Sequence, residues 1–258
     1  MVFKRMPLGF FIVKTHEQLV KAKRHLEEIG KKPNEIPDYY ISRIGRGLSE
    51  DTLQDFHLDV ADLFGKIGER TLPVAEKKLN HKNGYVRLVA AQAIGYIGKP
   101  AVPLLLKNLT HRNPSMVQSV LDSFYYLCRN HGSTDFQKYA PKVVKHGLRH
   151  WDEEVRIAAA TALHHLANTE ILSHLEKAYY KEQDPRVQSK MVQAVNSLRA
   201  LRTAERIREK GVGKALKEMG GKKRVLEFLE DAFRKESSEG VKFEIANALD
   251  ELYGHKRR

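Results

Sequence analysis

The sequence predicts an all-α fold, a right-handed α-solenoid of antiparallel helix pairs, from three observations. The first is an internal repeat. Gly65, Ile67 and Gly68 recur as Gly95, Ile97 and Gly98, and Pro73, Lys77, Leu79, His81 and Asn83 recur as Pro103, Lys107, Leu109, His111 and Asn113, each 30 residues later. A unit of that length cannot bury its own apolar face and must stack on neighbours. The second is helical spacing, with apolar residues at i, i+4, i+7, i+8 and i+11 in each unit, Ser123 at i+7 of the Met116 unit excepted. The third is that no segment sustains the apolar–polar alternation of a strand, so no sheet is expected.

Taken in order, residues 1–49 read as an N-terminal helical cap. Thr15-His16-Glu17-Gln18 has the form of a capping box opening a helix to about Ile29, and Ile36 to Leu48 reads as a second. Residues 50–198 hold the clearest repeats, each a helix A, a tight turn and a helix B. Helix B carries a landmark, most often valine, followed by small and apolar positions. The landmarks are Phe56, Val86, Met116, Val155, Val187 and Val241; Val86 is followed by Ala90, Ala93, Ile94 and Ile97, and Val155 by Ala159, Ala162, Leu163 and Leu166. Small residues at these positions let a neighbouring helix approach closely. Pro73, Pro103 and Pro141 mark the starts of A helices, where a missing N–H leaves no bond unmade. Asn83-Gly84, Asn113-Pro114, Asp184-Pro185 and Glu239-Gly240 mark the turns.

Landmark spacings of 30, 30, 39, 32 and 54 residues expose two irregularities. The first is an enlarged connection around 129–139. The second is a basic helical insert at 199–223, broken by Gly211, Gly213, Gly220 and Gly221. With Arg224 at its edge, this stretch carries Arg199, Arg202, Arg206, Arg208, Lys210, Lys214, Lys217, Lys222 and Lys223 against three glutamates, a local excess of seven positive charges. Residues 224–258 then form a terminal repeat and a basic tail, Lys256-Arg257-Arg258.

A net charge of +13 in 258 residues favours an acidic partner surface, on a protein or on nucleic acid. Cys128 is the single cysteine, which excludes an intrachain disulfide and a cysteine-based zinc site; among Phe124, Tyr125, Tyr126 and Leu127 it reads as a small buried hydrophobe. The apolar run Leu8 to Val13 is too short for a signal peptide, and no run approaches the ~20 residues of a membrane span. A cytoplasmic location is the expectation.

At the landmark residues the chain resembles the HEAT family, in particular the short HEAT-like units of about 30 residues of the phycobilisome-lyase type. Val86-Arg87 with Ala90, Ala93, Ile94 and Gly98 carries the resemblance, as does Val155-Arg156 with Ala159, Ala162 and Leu163. The resemblance implies a scaffold that holds a partner on the concave surface made by successive B helices. Three enzyme branches are implied less well. A deoxyhypusine hydroxylase-like di-iron site needs His-Glu pairs on B helices, and the one such pair, His16-Glu17, lies outside the repeats. A HEAT-like DNA glycosylase suits the basic charge, yet Trp151, the single tryptophan, falls in an A-to-B turn. No motif carries over a bilin lyase pocket.

His81, His111 and His150 stand five residues before consecutive landmarks. Packed helices 8–10 Å apart cannot converge them on one metal, so the expectation is that they bond free carbonyls at the ends of A helices. His146 and His150 form an i, i+4 pair with no third ligand. No metal or cofactor is expected, nor can a catalytic residue be located. Nine and ten residues after the landmarks come Gly65 and Lys66, Gly95 and Tyr96, Tyr125 and Tyr126, His164 and His165, Asn196 and Ser197. Tyr96, Tyr125, Tyr126, His164 and His165, with Gln92 and Gln193 six residues after their landmarks, form a candidate concave binding stripe, or else pack between helices. The insert cations and Arg257 form a candidate anion-binding surface. Arg87, Arg156 and Lys242, directly after landmarks, are expected to pair with acids in adjoining turns.

The frame makes Ala93 a tight interhelical contact. Ala93→Arg should therefore destabilise the protein by several kcal/mol, because an unpaired charge is forced into that contact. Thermal melting checks this; a wild-type-like curve would mean the frame is misplaced.

Overall fold

A computed structural model describes residues 53–254 together with scattered positions between 20 and 42. The capping box at Thr15–Gln18 and the tail at Lys256–Arg258 lie outside the described residues. The chain forms two compact units, Met1–His131 and Gly132–Arg258. The first holds α1 (Leu53–Ile67), α2 (Leu72–Leu79), α3 (Gly84–Ile97), α4 (Val102–Asn108) and α5 (Pro114–His131). The second holds α6 (Ala140–Gly147), α7 (Glu153–Leu166), α8 (Leu172–Tyr179), α9 (Pro185–Lys210), α10 (Val212–Glu218), α11 (Lys222–Lys235) and α12 (Glu239–Tyr253). No strand occurs among the described residues. In the first unit α3 packs on α1 and α5; in the second, α9 packs on α7 and α12.

The frame read from the sequence is the buried face of each B helix. Val86, Ala90, Ala93, Ile94 and Ile97 are buried, as are Met116, Val120, Ser123, Phe124 and Leu127, and the same positions after Val155, Val187 and Val241 down to Leu252, with Leu249 half-buried. The prolines stand in the first turns of α2, α4 and α6. Cys128 is buried, which pushes its thiol up to about 12 and leaves it inert as a nucleophile.

The five B helices α3, α5, α7, α9 and α12 each begin at a turn closed by one recurrent hydrogen bond. The backbone N–H of Asn83 donates to Nδ1 of His81 (3.1 Å), that of Asn113 to His111 (3.0 Å) and that of Asp152 to His150 (3.1 Å). The two following turns place a carboxylate there: Oε1 of Glu182 accepts from Asp184 N–H (3.0 Å), and Oε1 of Glu236 from Ser238 N–H (2.6 Å). All five acceptors stand five residues before a landmark. The histidines are thus structural, but they accept an amide bond at the start of helix B instead of donating to carbonyls at the end of helix A. Asn83, Asn113, Asp152 and Asp184 in turn cap their helices through their side chains.

Arg156 binds both oxygens of Glu182 (2.7 and 3.0 Å) and the carbonyls of His150 and Trp151, so it ties one turn to the next. Arg87 reaches only the carbonyls of its own turn, His81 and Lys82, while Lys242 lies 5.3 Å from the Phe233 ring. The expected acid pairing holds for Arg156 alone among these three. The reason is the acceptor column: the turn after α3 carries His111 where the turn after α7 carries Glu182, so no carboxylate stands there for Arg87.

The residues of the expected insert are amphipathic. α9 runs unbroken through 198 to 210, and Gly211 and Gly221 precede α10 and α11, whereas Gly213 lies inside α10. Ala200, Leu201, Ala204, Ile207 and Ala215 pack with Val225, Leu229, Val241, Ile245 and Leu252 in one core. Their cations are left facing solvent.

In the first unit the B helices approach through glycine. A Cβ at Gly65 would stand 2.4 Å from Cβ of Tyr96, and one at Gly95 would stand 2.4 Å from Cβ of Tyr126. The contact is with the first atoms of the tyrosine and its backbone, so rotating the ring cannot relieve it. Gly95→Ala should destabilise the first unit by about 2 kcal/mol through overpacking, and Tyr126→Ala should not rescue it because that Cβ stays. Denaturant melts of the two single variants and the double variant check this; full rescue would show the clash to lie with the ring.

Candidate functional site

The Gly–Tyr contact of the first unit has a polar counterpart in the second. His164 occupies the position of Gly65 and Gly95, and Ser197 that of Tyr96 and Tyr126. Oγ of Ser197 lies 3.1 Å from Nε2 of His164. With a small residue where tyrosine stood, the space above the contact is open. A cavity of about 500 Å³ fills it, walled by Val192, Phe228 and Ala232, with Gln193, Asn196, Asp231 and Lys235 around them and His164, Ser197 and Glu236 also lining it.

Glu236 is the centre of that polar group. Its side chain is 1% exposed, and one oxygen takes bonds from His164 Nε2 (2.6 Å) and from the N–H groups of Ser237 and Ser238. Burial by itself would raise this carboxyl; the hydrogen bond and charge of His164, with Ser197 and the Ser238 amide, overcome it and hold the group down to about 2. Glu236 therefore does two tasks, closing the turn before α12 and fixing the imidazole beneath the cavity.

Ser, His and Glu in contact invite comparison with a nucleophile and its base. In a relay the carboxylate binds the ring nitrogen opposite the one that faces the hydroxyl. Here both Ser197 and Glu236 address Nε2, so that nitrogen is committed to Glu236 and is not available as a base for Ser197. The arrangement is a polar base to the cavity.

The predicted stripe residues separate accordingly. Tyr96 is exposed, Tyr125 and Tyr126 are half-buried with rings 4.8 Å apart, and Gln92 donates to the Tyr126 hydroxyl at 3.3 Å. His164 is buried under the cavity, His165 is half-buried with its ring 4.8 Å from that of His164, and Gln193 is exposed on the cavity lining. Sequence reasoning missed Phe228, Asp231, Lys235 and Glu236. Glu236 carried a signal, since it stands in the same column as His81, His111 and His150.

All ten predicted cations from Arg199 to Arg224 are exposed. Arg199 pairs with Glu176 (2.8 Å), Arg208 with Glu244 (2.9 Å), Lys210 with Glu218 (2.7 Å) and Lys223 with Glu227 (4.0 Å). The local excess counted along the chain is thus reduced by acids that arrive from other helices. Arg206 and Lys214 stand close enough to Glu218 to lower its carboxyl together with Lys210. Arg257 lies outside the described residues. Among the described residues no three potential ligands gather as a metal site, and no helix is long and apolar enough to cross a membrane.

The repeat geometry agrees with one comparison. Residues 86–111 match the family model of the PBS lyase HEAT-like repeat. This HEAT-like stretch spans α3 from its landmark and the A helix after it, where the resemblance is densest. Among solved structures, the chain is similar to the complex of CpcE and CpcF of phycocyanin lyase from Nostoc sp. PCC7120, at 18% identity over 96% of this chain and 95% of that one, with a TM-score of 0.38. It is likewise similar to an engineered protein at 18% identity, covering 96% and 97% of the two chains, with a TM-score of 0.37. No curated protein matches the chain.

Glu236 links this site to pH. Its folded value lies below that of the free side chain, so its contribution to stability is present near neutrality and is lost as pH falls from about 5 towards 2. Glu236→Gln should lower stability at pH 7 by up to about 3 kcal/mol and flatten the loss over that acid range. Denaturant titrations at several pH values test it; an unchanged acid profile would mean that the carboxylate is not held by His164.

Proposed function

We propose that the protein is a non-enzymatic HEAT-like repeat scaffold that holds a protein partner of acidic surface on its B-helix face. The cavity above His164 and Ser197 carries this reading. Its apolar walls and fixed polar base suit the burial of one anchoring side chain, the usual centre of a protein interface. The double use of His164 Nε2 favours binding over catalysis at this place.

The exposed cations of α9 to α11 supply the electrostatic part. Arg202, Arg206, Lys214, Lys217, Lys222 and Arg224 have no ion-pair partner among the described residues, and such charges mainly accelerate encounter and select partners. Tyr96 and Tyr126 offer a second contact in the first unit, limited to the outer parts of their rings because their first atoms are spent on Gly65 and Gly95.

A native pull-down with and without nuclease tests the proposal. Captured protein should survive nuclease, fall with rising salt, and be lost with Phe228→Asp, which places a charge on the cavity wall without disturbing the core. Loss of every captured protein after nuclease, or full capture by a folded Phe228→Asp variant, would overturn it.

A further inference from the structure

Outside that site, α6, α8 and the turns after them carry basic residues at matching places. Thirteen, ten and six residues before the landmarks Val155 and Val187 stand Lys142 and His174, Lys145 and Lys177, and Arg149 and Lys181. All six are exposed. The corresponding residues of α2 and α4 and the turns after them are Pro73 and Pro103, Glu76 and Leu106, and Asn80 and Thr110, so the basic rows belong to the second unit's A helices.

Two adjoining depressions of about 440 and 480 Å³ run along these rows, sharing Val144, Arg149 and His174. Lys145, Arg149, Lys177 and Lys181 stand on their lining. The acids nearby are mostly engaged elsewhere. Glu182 is buried under Arg156, and Glu176 pairs with Arg199. Glu170 alone faces the groove with a free charge among the lining acids. Lys142, Lys145, Arg149, Lys177 and Lys181 have no ion-pair partner among the described residues. The field of Lys145 and Lys142 adds to burial in lowering the basicity of neighbouring His146.

Beside the basic rows are two large aromatic side chains left in water. Trp151, two residues beyond Arg149, is 74% exposed, and Tyr180, next to Lys181, is 76% exposed. Each stands in the turn that follows its A helix. Neither packs into the core: Trp151 stacks on the His150 ring with centroids 5.4 Å apart and Tyr180 meets Tyr179 edge-on at 5.4 Å, and the remaining ring surface of each is open for contact.

We propose that the groove between α6 and α8 binds single-stranded nucleic acid, with the basic rows tracking the phosphates and Trp151 and Tyr180 stacking on bases. A cationic track flanked by open aromatic faces is the chemistry that holds single strands without reading their sequence. It is a surface separate from the cavity on the B-helix face, and its binding does not depend on the protein partner proposed there.

Fluorescence anisotropy with the whole chain and a labelled single strand of about 12 thymidines tests the proposal. Binding should weaken with salt at a log–log slope near −3 to −4, as expected for about five neutralised phosphates. Arg149→Glu with Lys177→Glu and Lys181→Glu should reduce affinity at least tenfold and flatten the slope, far more than Arg202→Glu with Arg206→Glu does. Trp151→Ala with Tyr180→Ala should reduce single-strand affinity about tenfold and leave heparin binding unaltered. These positions are exposed, and melting curves confirm folding. Absence of salt-sensitive binding, equal loss for heparin and the oligonucleotide on removing the aromatics, no loss on removing them, or greater loss from the α9 variant would each overturn it. So would a groove variant that loses a captured protein yet still binds the strand.

Discussion

The starts of α3, α5, α7, α9 and α12 each depend on one acceptor for one amide. At the corner between helices A and B, the N–H of the residue before helix B points back toward the turn, where an unmet donor would be costly. A side chain two residues earlier supplies the acceptor, an imidazole in His81, His111 and His150 and a carboxylate in Glu182 and Glu236. Because that bond sets where each helix begins, it also sets which residues face the neighbouring helix. Tyrosine over glycine in the first unit and Ser197 beside His164 in the second are both downstream of it.

The exchange of imidazole for carboxylate has electrostatic consequences. A carboxylate in the corner can also hold a basic side chain from another element, which is how Arg156 comes to be bound by Glu182 and the His164 ring by Glu236. Glu182 is kept ionised despite its burial by Arg156 and by the amides of Gln183 and Asp184. Where the corner holds histidine, as after α3, the preceding arginine is left with carbonyls. The carboxylate turns of the second unit are therefore tied to other elements through charge, whereas the first unit's histidine turns meet through a neutral bond, Asn113 Nδ2 donating to Asn80 Oδ1 at 2.6 Å.

Much of the fold was legible because the repeat forces the same small and apolar residues into the same places: Val86, Ala90 and Ala93 announce a buried helix face wherever they recur. The role of the histidine column was misassigned since the partner of His81 depends on the path of the turn, which residue type does not disclose. Glu182 and Glu236 were overlooked for the related reason that the column was followed by residue identity and not by acceptor chemistry. The charge of residues 199–224 was overcounted along the chain, as Glu176 and Glu244 approach only through folding. Of the site, His164 and Gln193 were found from B-helix columns, whereas Phe228 and Lys235 belong to α11, which has no clear counterpart among the earlier repeats.

The close spacing of the turn bond, between residues two apart in the chain, bears on how the molecule folds. Closing so short a loop forfeits little chain entropy, and contacts dominated by neighbours in sequence are associated with rapid folding. Each corner can thus form early and independently, leaving the stacking of B helices as the cooperative step. Loss of a single acceptor would then act on one corner first, loosening one helix start while adjacent corners remain closed.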